Sequence, residues 1–420
     1  MTTEWNDCFL HDRDRMRHDD AVALLRARLD CVVGEETVAL SCAEGRVLAN
    51  DVRTPHAIPL HTNAAVDGYA YRHPSGEAPL PVTQTVRAGD LDPAPLAAGS
   101  VARIFTGAPM PPDADTVAMQ EDCTLTDGRV QPPPLRQGAN RRLAGEDAHA
   151  ESVIVRAGTR LTAAHVAALA SAGQDRVEVR RRLRLALFSN GNELVAPGGG
   201  SLRVGQVYDA NRPMLAALLQ ALPVTLTTDA HLADDAAGVR DVLRQAAATS
   251  DVIVTSGGAS RGDEDHMGSA LDALGKRHLW QLAVKPGRPM LFGQIDRAGA
   301  PPALFFGLPG NPVAAFVCFA LYVRPALLRL AGATWHEPMR FAVAAGFELK
   351  SKKTDRREFL RGWLETGENG LPVAQRFGRD GSGLISSLTA ATGLIELPEE
   401  CASVSRGEAV RFLPFTGLLG

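Results

Sequence analysis

Three short turns carry the residue types that handle phosphate. They run from Ser189 to Glu193 around Gly191, from Ser256 to Asp265 through Gly257, Gly258 and Ser260, and from Gly307 to Pro312 through Pro309, Gly310 and Asn311. Glycine lets backbone N–H groups approach an anion closely. Asn311 followed by Pro312 suits an N-cap and a first helical position, so a helix N-terminus is expected there. Each turn alone is equally a tight strand-to-helix connection that needs glycine for its geometry. Lys285 and Arg288 flank the rigid turn Pro286-Gly287, which could aim them at an oxyanion or leave them as a solvated basic turn. The carboxylates Glu193, Asp234, Asp235, Asp263 and Asp265 gather in the same stretches. Beside phosphate they suit a hard divalent cation such as Mg²⁺, although Asp234 and Asp235 could equally cap the helix that follows. Cations opposed to carboxylates are what phosphoanhydride cleavage needs. No turn continues as Gly-Lys-Ser/Thr, and none is Gly-x-Gly-x-x-Gly after the first strand, which speaks against ordinary ATPases and NAD dehydrogenases.

These turns must be held by a scaffold, and the hydrophobic pattern supplies one. Leu185 to Phe188, Val224 to Leu226, Val252 to Thr255 and Ala303 to Phe306 predict buried strands. Met214 to Leu222, Asp235 to Ala247 and Pro312 to Leu330 predict the helices between and after them. Strands alternating with helices argue for an α/β fold, a parallel sheet covered on both faces, with ligands bound beyond the strands' carboxyl ends. Upstream, Asp19 to Leu29 and Leu161 to Ala172 predict helices, the second with Thr162 as N-cap. Between them, residues 55–134 hold about half of the 27 prolines, which predicts a compact, irregular β module. There Asp67-Gly68-Tyr69-Ala70 and Arg103 to Pro111 place polar residues and glycine inside apolar text, as functional loops and plain turns both do. Arg141-Arg142 and Gly145-Glu146-Asp147 suggest an exposed loop or an anion contact. The cluster Lys350 to Arg357 suggests a solvated basic face, within a C-terminal region of short β-like runs.

Composition narrows the field further. The chain has 420 residues, which at roughly 150 per domain predicts about three domains. Lys+Arg 44 against Asp+Glu 48 gives a net charge of −4, so no global basic field exists for nucleic acid or anionic lipid. The charged N-terminus does not resemble a signal peptide. The apolar run from Ala298 to Val323 is split by Gly307 to Pro312 into pieces too short to span a membrane. Six scattered cysteines without Cys-x-x-Cys predict buried thiols, not a disulfide frame or a metal site, and a cytoplasmic setting.

Taken together and in order, these phrases resemble the molybdopterin molybdenumtransferase (MoeA-like) family, whose animal relative is the C-terminal part of gephyrin. The resemblance rests on Asp67 to Ala70, Arg103 to Pro111, Arg141 to Asp147, Gly191 to Leu194, Gln206 to Arg212, Thr255 to Asp265, Lys285 to Pro289, Gly307 to Pro312, Phe359 to Gly362 and Gly383 to Ser387. It implies a molybdopterin-binding three-layer α/β domain over 183–332 and an irregular β module over 51–144. A discontinuous helical domain over 1–50 and 145–182, and a C-terminal β-barrel over 333–420, complete it. The implied reaction inserts molybdate into adenylylated molybdopterin, with Mg²⁺-dependent release of AMP. A non-catalytic gephyrin-like scaffold and a tungstate-preferring paralogue are the alternatives. By position, Asp265, Glu193 and Asp234, or its neighbour Asp235, resemble the Mg²⁺ residues, with Asp265 and Glu193 also matching residues that assist pyrophosphate cleavage. Lys285, Arg288, Arg361 and Ser387 resemble molybdate and phosphate contacts, with Lys285 also catalytic. Asp67, Thr106 and Asp147 match positions facing the cleft from other domains, Asp67 and Asp147 as catalytic groups. Ser256, Gly257, Gly258, Ser260, Gly307, Pro309, Gly310, Asn311 and Pro312 would shape the pterin site. Val66 and Asn192 stand where the family usually has Met and Asp, and Arg261 where it usually has a small or apolar residue. The resemblance further implies a homodimer, a molybdopterin adenylyltransferase as substrate donor, and neither nucleic acid nor membrane as partner.

Overall fold

The computed structural model describes residues 15–74, 78–233, 235–257 and 266–419. Its centre is a six-stranded sheet with strands β1 (Leu183–Asn190), β2 (Val224–Leu232), β3 (Val252–Ser256), β4 (Gly275–Gln281), β6 (Pro289–Arg297) and β7 (Ala300–Leu308). The short β5 (Val284–Lys285) lies between β4 and β6 in the chain. The spatial order is β2-β1-β3-β7-β6-β4. The first four strands run parallel, as the alternation of strands and helices predicts. The β6 and β4 edge is antiparallel, so the sheet is mixed. β6 returns on β7 through a tight turn, which needs no crossover helix, and the helix pattern cannot announce it.

The parity of side chains sorts the two faces. Leu185, Leu187, Val254, Phe306 and Leu308 pack on one face against the helical run that follows β7. Ala186, Phe188, Ile253 and Phe305 pack on the other, against α2 (Ala236–Thr249) and α3 (His266–Leu274). Successive residues of a strand point to opposite faces, and with both faces covered the strand becomes a continuous apolar run. In α2 the buried Val239, Leu243, Ala246 and Ala247 recur at helical spacing, and Asp235 caps it by accepting from the Gly238 amide at 2.8 Å. The capping alternative therefore holds for Asp235.

The run after β7 departs from one regular helix. It is α4 (Pro312–Cys318), a π-helical segment Phe319–Val323, and a further α-helix Arg324–Leu330. By length and composition Pro312–Leu330 could cross a membrane, so splitting the sequence at Gly307 to Pro312 does not exclude a span. What excludes it here is burial: 78% of its apolar window lies inside the protein's own core.

The C-terminal barrel closes from β8 (Phe341–Ala345), β9 (Arg357–Thr366), β10 (Pro372–Arg376), β11 (Gly393–Leu397) and β12 (Ala409–Pro414), with β9 pairing both β10 and β11. β5 extends this barrel sheet: Val284 pairs with Arg357 and Lys285 with Glu358, in parallel. The cluster Lys350 to Arg357 is not a solvated face throughout. Lys352 and Arg357 are buried, Lys352 donating to three backbone oxygens and Arg357 to Asp19, Glu396 and Glu399.

Upstream, the helix His18–Arg28 is followed by Glu35–Ala39, which pairs antiparallel with Arg176–Arg180. This ladder ties the N-terminus to the segment beyond the β module, where the helix Ala163–Ser171 follows Thr162 as N-cap, so the expected helical part is two helices plus a strand pair. The proline-rich stretch forms its own sheet, in the order Thr116–Met119, Gly68–Tyr71, Val101–Ile104, Leu80–Val86, Arg129–Gln131, Thr124–Thr126. All described cysteines are free; Cys31 and Cys42 are exposed, while Cys318 is buried, which raises its thiol to about 12.

Candidate active site

The turns after β1, β3 and β7 meet at the carboxyl end of the parallel strands. The Gly257 amide donates to the Leu308 carbonyl at 3.1 Å. Its φ of 92°, and the 2.2 Å that a Cβ would leave to the Asn190 oxygen, admit only glycine there. The Ser256 hydroxyl faces the Pro309 carbonyl at 3.4 Å. Asn211, which opens α1 (Asn211–Gln220), donates from Nδ2 to Ser256 Oγ and to the Gly310 carbonyl, both at 2.7 Å. One buried side chain thus ties the second and third turns together, while its buried Oδ1 has no hydrogen-bond partner among the described residues. Asn211 lies in a phrase the sequence marks, Gln206 to Arg212, but its role as a cross-tie is not readable there.

The barrel completes this edge. Arg361, only 5% exposed, donates from Nε to Ser387 Oγ at 3.0 Å and from Nη2 to the Gly381 carbonyl at 3.2 Å. Burial draws its guanidinium below the ordinary arginine range, opposed by Asp380, and it remains a cation. The same loop reaches the α/β domain, because the Val313 amide at the start of α4 donates to the Ser382 carbonyl at 3.0 Å. Asn311 occupies the N-cap position with Pro312 next, as expected, yet its side chain makes no capping bond and stays exposed. Lys285 Nζ donates to Glu358 Oε2 at 3.3 Å, and Arg288 is exposed in the same turn. Gly307 and Pro309 are buried, and Glu193 is exposed beside Gly191.

Asp67 and Thr106 form a second, separate set. The Thr106 amide and then its hydroxyl, both donating to Asp67 Oδ1 at 2.7 Å, hold this carboxyl below the usual carboxylate range. Gly68 must be glycine, since a Cβ would lie 1.9 Å from the Ala118 carbonyl oxygen. Asp147 is exposed, its amide donating to the Ile58 carbonyl at 3.0 Å. The hydrogen bonds of Asp67, Thr106 and Asp147 stay within the proline-rich module and its margin, and none reaches the sheet edge of the same chain. Gly258, Ser260, Asp265 and Asp234 lie outside the described residues. Among the described residues no three His, Cys, Asp or Glu side chains gather as a metal cage.

Consecutive family models cover most of the chain: the MoeA N-terminal region (domain I and II) over residues 16–173, a probable molybdopterin binding domain over 186–329, and the MoeA C-terminal region (domain IV) over 343–415. A molybdopterin molybdenumtransferase of Haemophilus influenzae is 34% identical over 407 residues, covering 96% of this chain and 99% of the relative. The chain belongs to the molybdopterin molybdenumtransferase family. A second family member so named, from a Nostoc species, is 34% identical over 399 residues, covering 92% of this chain and 90% of its own. The crystal structure of a molybdopterin biosynthesis MoeA protein from Pyrococcus horikoshii superposes with a TM-score of 0.77 at 27% identity, over 96% of this chain and 100% of that one. The family is one of transferases in molybdenum cofactor biosynthesis, and the fold found here is that of its solved member.

Proposed function

We propose that this chain inserts molybdate into adenylylated molybdopterin, cleaving the phosphoanhydride with Mg²⁺ and releasing AMP. The observation that carries the reading is the junction of the Gly307 to Pro312 turn with Arg361 and Ser387, stitched by the Val313–Ser382 hydrogen bond. That junction joins a glycine-lined turn to the loop that Arg361 and Ser387 hold, and Lys285 lies on the strand paired with the start of Arg361's strand. Arg361 and Lys285 balance the charge of the oxyanion and the phosphates, and Ser387 orients Arg361 by accepting from its Nε. The exposed amide of Asn311 remains available to the ligand.

Mg²⁺ fits as an ion shared with substrate phosphates rather than held in an all-protein cage. Such ions take one or two carboxylates plus phosphate oxygens, and Glu193 offers one exposed hard oxygen donor at this edge. Asp265 and Asp234 would add the others. When bound, the ion supplies charge neutralisation on the pyrophosphate. Asp67 and Asp147 act in the same cleft from a second copy of the chain in a homodimer, since their own chain does not bring them to the sheet edge. A molybdopterin adenylyltransferase supplies the substrate.

The test is to incubate the purified protein with adenylylated molybdopterin, Mg²⁺ and either molybdate or tungstate, following AMP release and active cofactor. Oxyanion-dependent AMP release is expected, and the two arms rank the metals. AMP release that ignores the oxyanion, or binding without turnover, overturns the reading.

A further inference from the structure

We infer that Glu358 is the positioning residue for Lys285: it fixes the ammonium group at the oxyanion site from the barrel side. This rests on the transferase reading and adds a residue that no motif marks. The argument begins with strand parity. At the start of β9, Arg357 and Phe359 turn toward the N-terminal helix, Arg357 binding Asp19 at 2.8 Å and Phe359 stacking edge-on with His18. Glu358 has the opposite parity and faces Lys285 and Arg356 instead.

The ladder between β5 and β9 makes Lys285 and Glu358 register partners, 73 positions apart in sequence. Glu358 is 4% exposed, whereas the Lys285 side chain is 41% exposed. A buried carboxylate needs paired cations, and Glu358 has two: Arg356 Nε at 3.2 Å on Oε1 and Lys285 Nζ at 3.3 Å on Oε2. Arg356 lies two residues away on the same chain segment and would satisfy one oxygen without any help from the α/β domain. The bond to Lys285 is the one that crosses between domains. An ammonium has three donors, and Glu358 takes one. The others are left for an oxyanion, and the long lysine stem is held rather than free to sample rotamers. Arg288 shares the turn and is exposed. Glu358 therefore acts through Lys285 and does not itself touch substrate.

The experiment compares wild type, Glu358→Gln and Glu358→Asp in two readouts. One is steady-state turnover at varied molybdate. The other is the rate at which acetic anhydride labels Lys285, read by peptide mass spectrometry against exposed Lys350 as internal standard. Glu358→Gln should raise KM for molybdate roughly five- to tenfold with kcat changed less than about twofold, and should speed Lys285 labelling by a similar factor. Glu358→Asp should recover part of both. Unchanged labelling overturns the pairing, and faster labelling with unchanged KM overturns the positioning role. A fall in kcat that Asp does not relieve also overturns it, because a merely structural carboxylate would behave that way. Should Glu358→Gln not fold, Arg356→Gln gives the opposite prediction. Glu358 then keeps Lys285 as its hydrogen-bonded cation, labelling slows, and unchanged or faster labelling overturns the inference. Absence of turnover in wild type would sink the transferase reading while the labelling arm still decides the pair.

Discussion

At the sheet edge several functional groups are cross-tied to other elements. Asn211 spans two turns, Arg361 reaches Ser387 and Gly381, and the start of α4 is bonded to the barrel loop. Around Asp67 the picture is different: among the described residues the carboxyl takes its hydrogen bonds from Thr106, and none comes from the α/β domain. The first region is preorganised by long-range contacts, so its parts cannot be altered without disturbing fold and function together. The second is a self-contained loop presented outward, so function can be removed there with little structural cost. A reaction that needs both regions needs them brought together by something other than the path of a single chain.

The largest effect should come from separating the two regions genetically. Lys285→Met and Asp67→Asn should each lower cofactor formation by about 10²- to 10³-fold when assayed alone. Mixing the two variants under dimer-exchanging conditions should restore part of the activity, and no recovery would break the two-chain reading. Asp67→Asn should shift the melting temperature hardly at all. Gly257→Ala should do the reverse, since φ of 92° and a 2.2 Å approach to the Asn190 oxygen force the turn apart. Stability should fall by roughly 2 kcal/mol or more along with activity, as chemical denaturation would show.

The next effect is set by pH. His18 is buried, donating to or accepting from the Tyr322 hydroxyl at 2.7 Å. Burial first, and then the Arg357 charge, lowers it from 6.5 to about 3, with Asp19 opposing. Because the folded value lies below the unfolded one, its contribution is complete above pH 6.5 and declines as pH falls toward 3. Near pH 4.5 the loss should be roughly 2 to 3 kcal/mol. His18→Gln should flatten that acid limb in denaturant titrations, and an unchanged slope would remove His18 as its source. The smallest effect is expected at the cross-tie. Asn211→Ala should cost about 1 to 2 kcal/mol by stranding Ser256 Oγ and the Gly310 carbonyl, visible in the denaturation midpoint.

The same contrast governs what the sequence reveals. Turns such as Gly307 to Pro312 are local grammar, with glycine, N-cap and proline at fixed offsets, so their type and place were readable before any coordinates. The parallel strands were readable because both faces are covered and the runs are unbroken. Glu358 and Asn211 were opaque because their meaning lies in partners far away in sequence. The basic cluster at Lys352 and Arg357 was misleading for that reason: the charges that bury Arg357 sit at Asp19, Glu396 and Glu399. The antiparallel edge leaves no mark in the helix pattern, because β6 and β7 are joined by a short turn with no helix between them. Asp234 and Asp265 rest on the family resemblance.

The two rungs at Val284 and Lys285 make the barrel less a separate module than an outgrowth of the α/β fold. A shorter descendant lacking residues 333–420 would bare those rungs and strip Lys285 of its counter-charge in one deletion. The two pieces are thus joined by backbone pairing as well as by the chain, and a barrel grafted in place of this one would have to arrive with its carboxylate already in register.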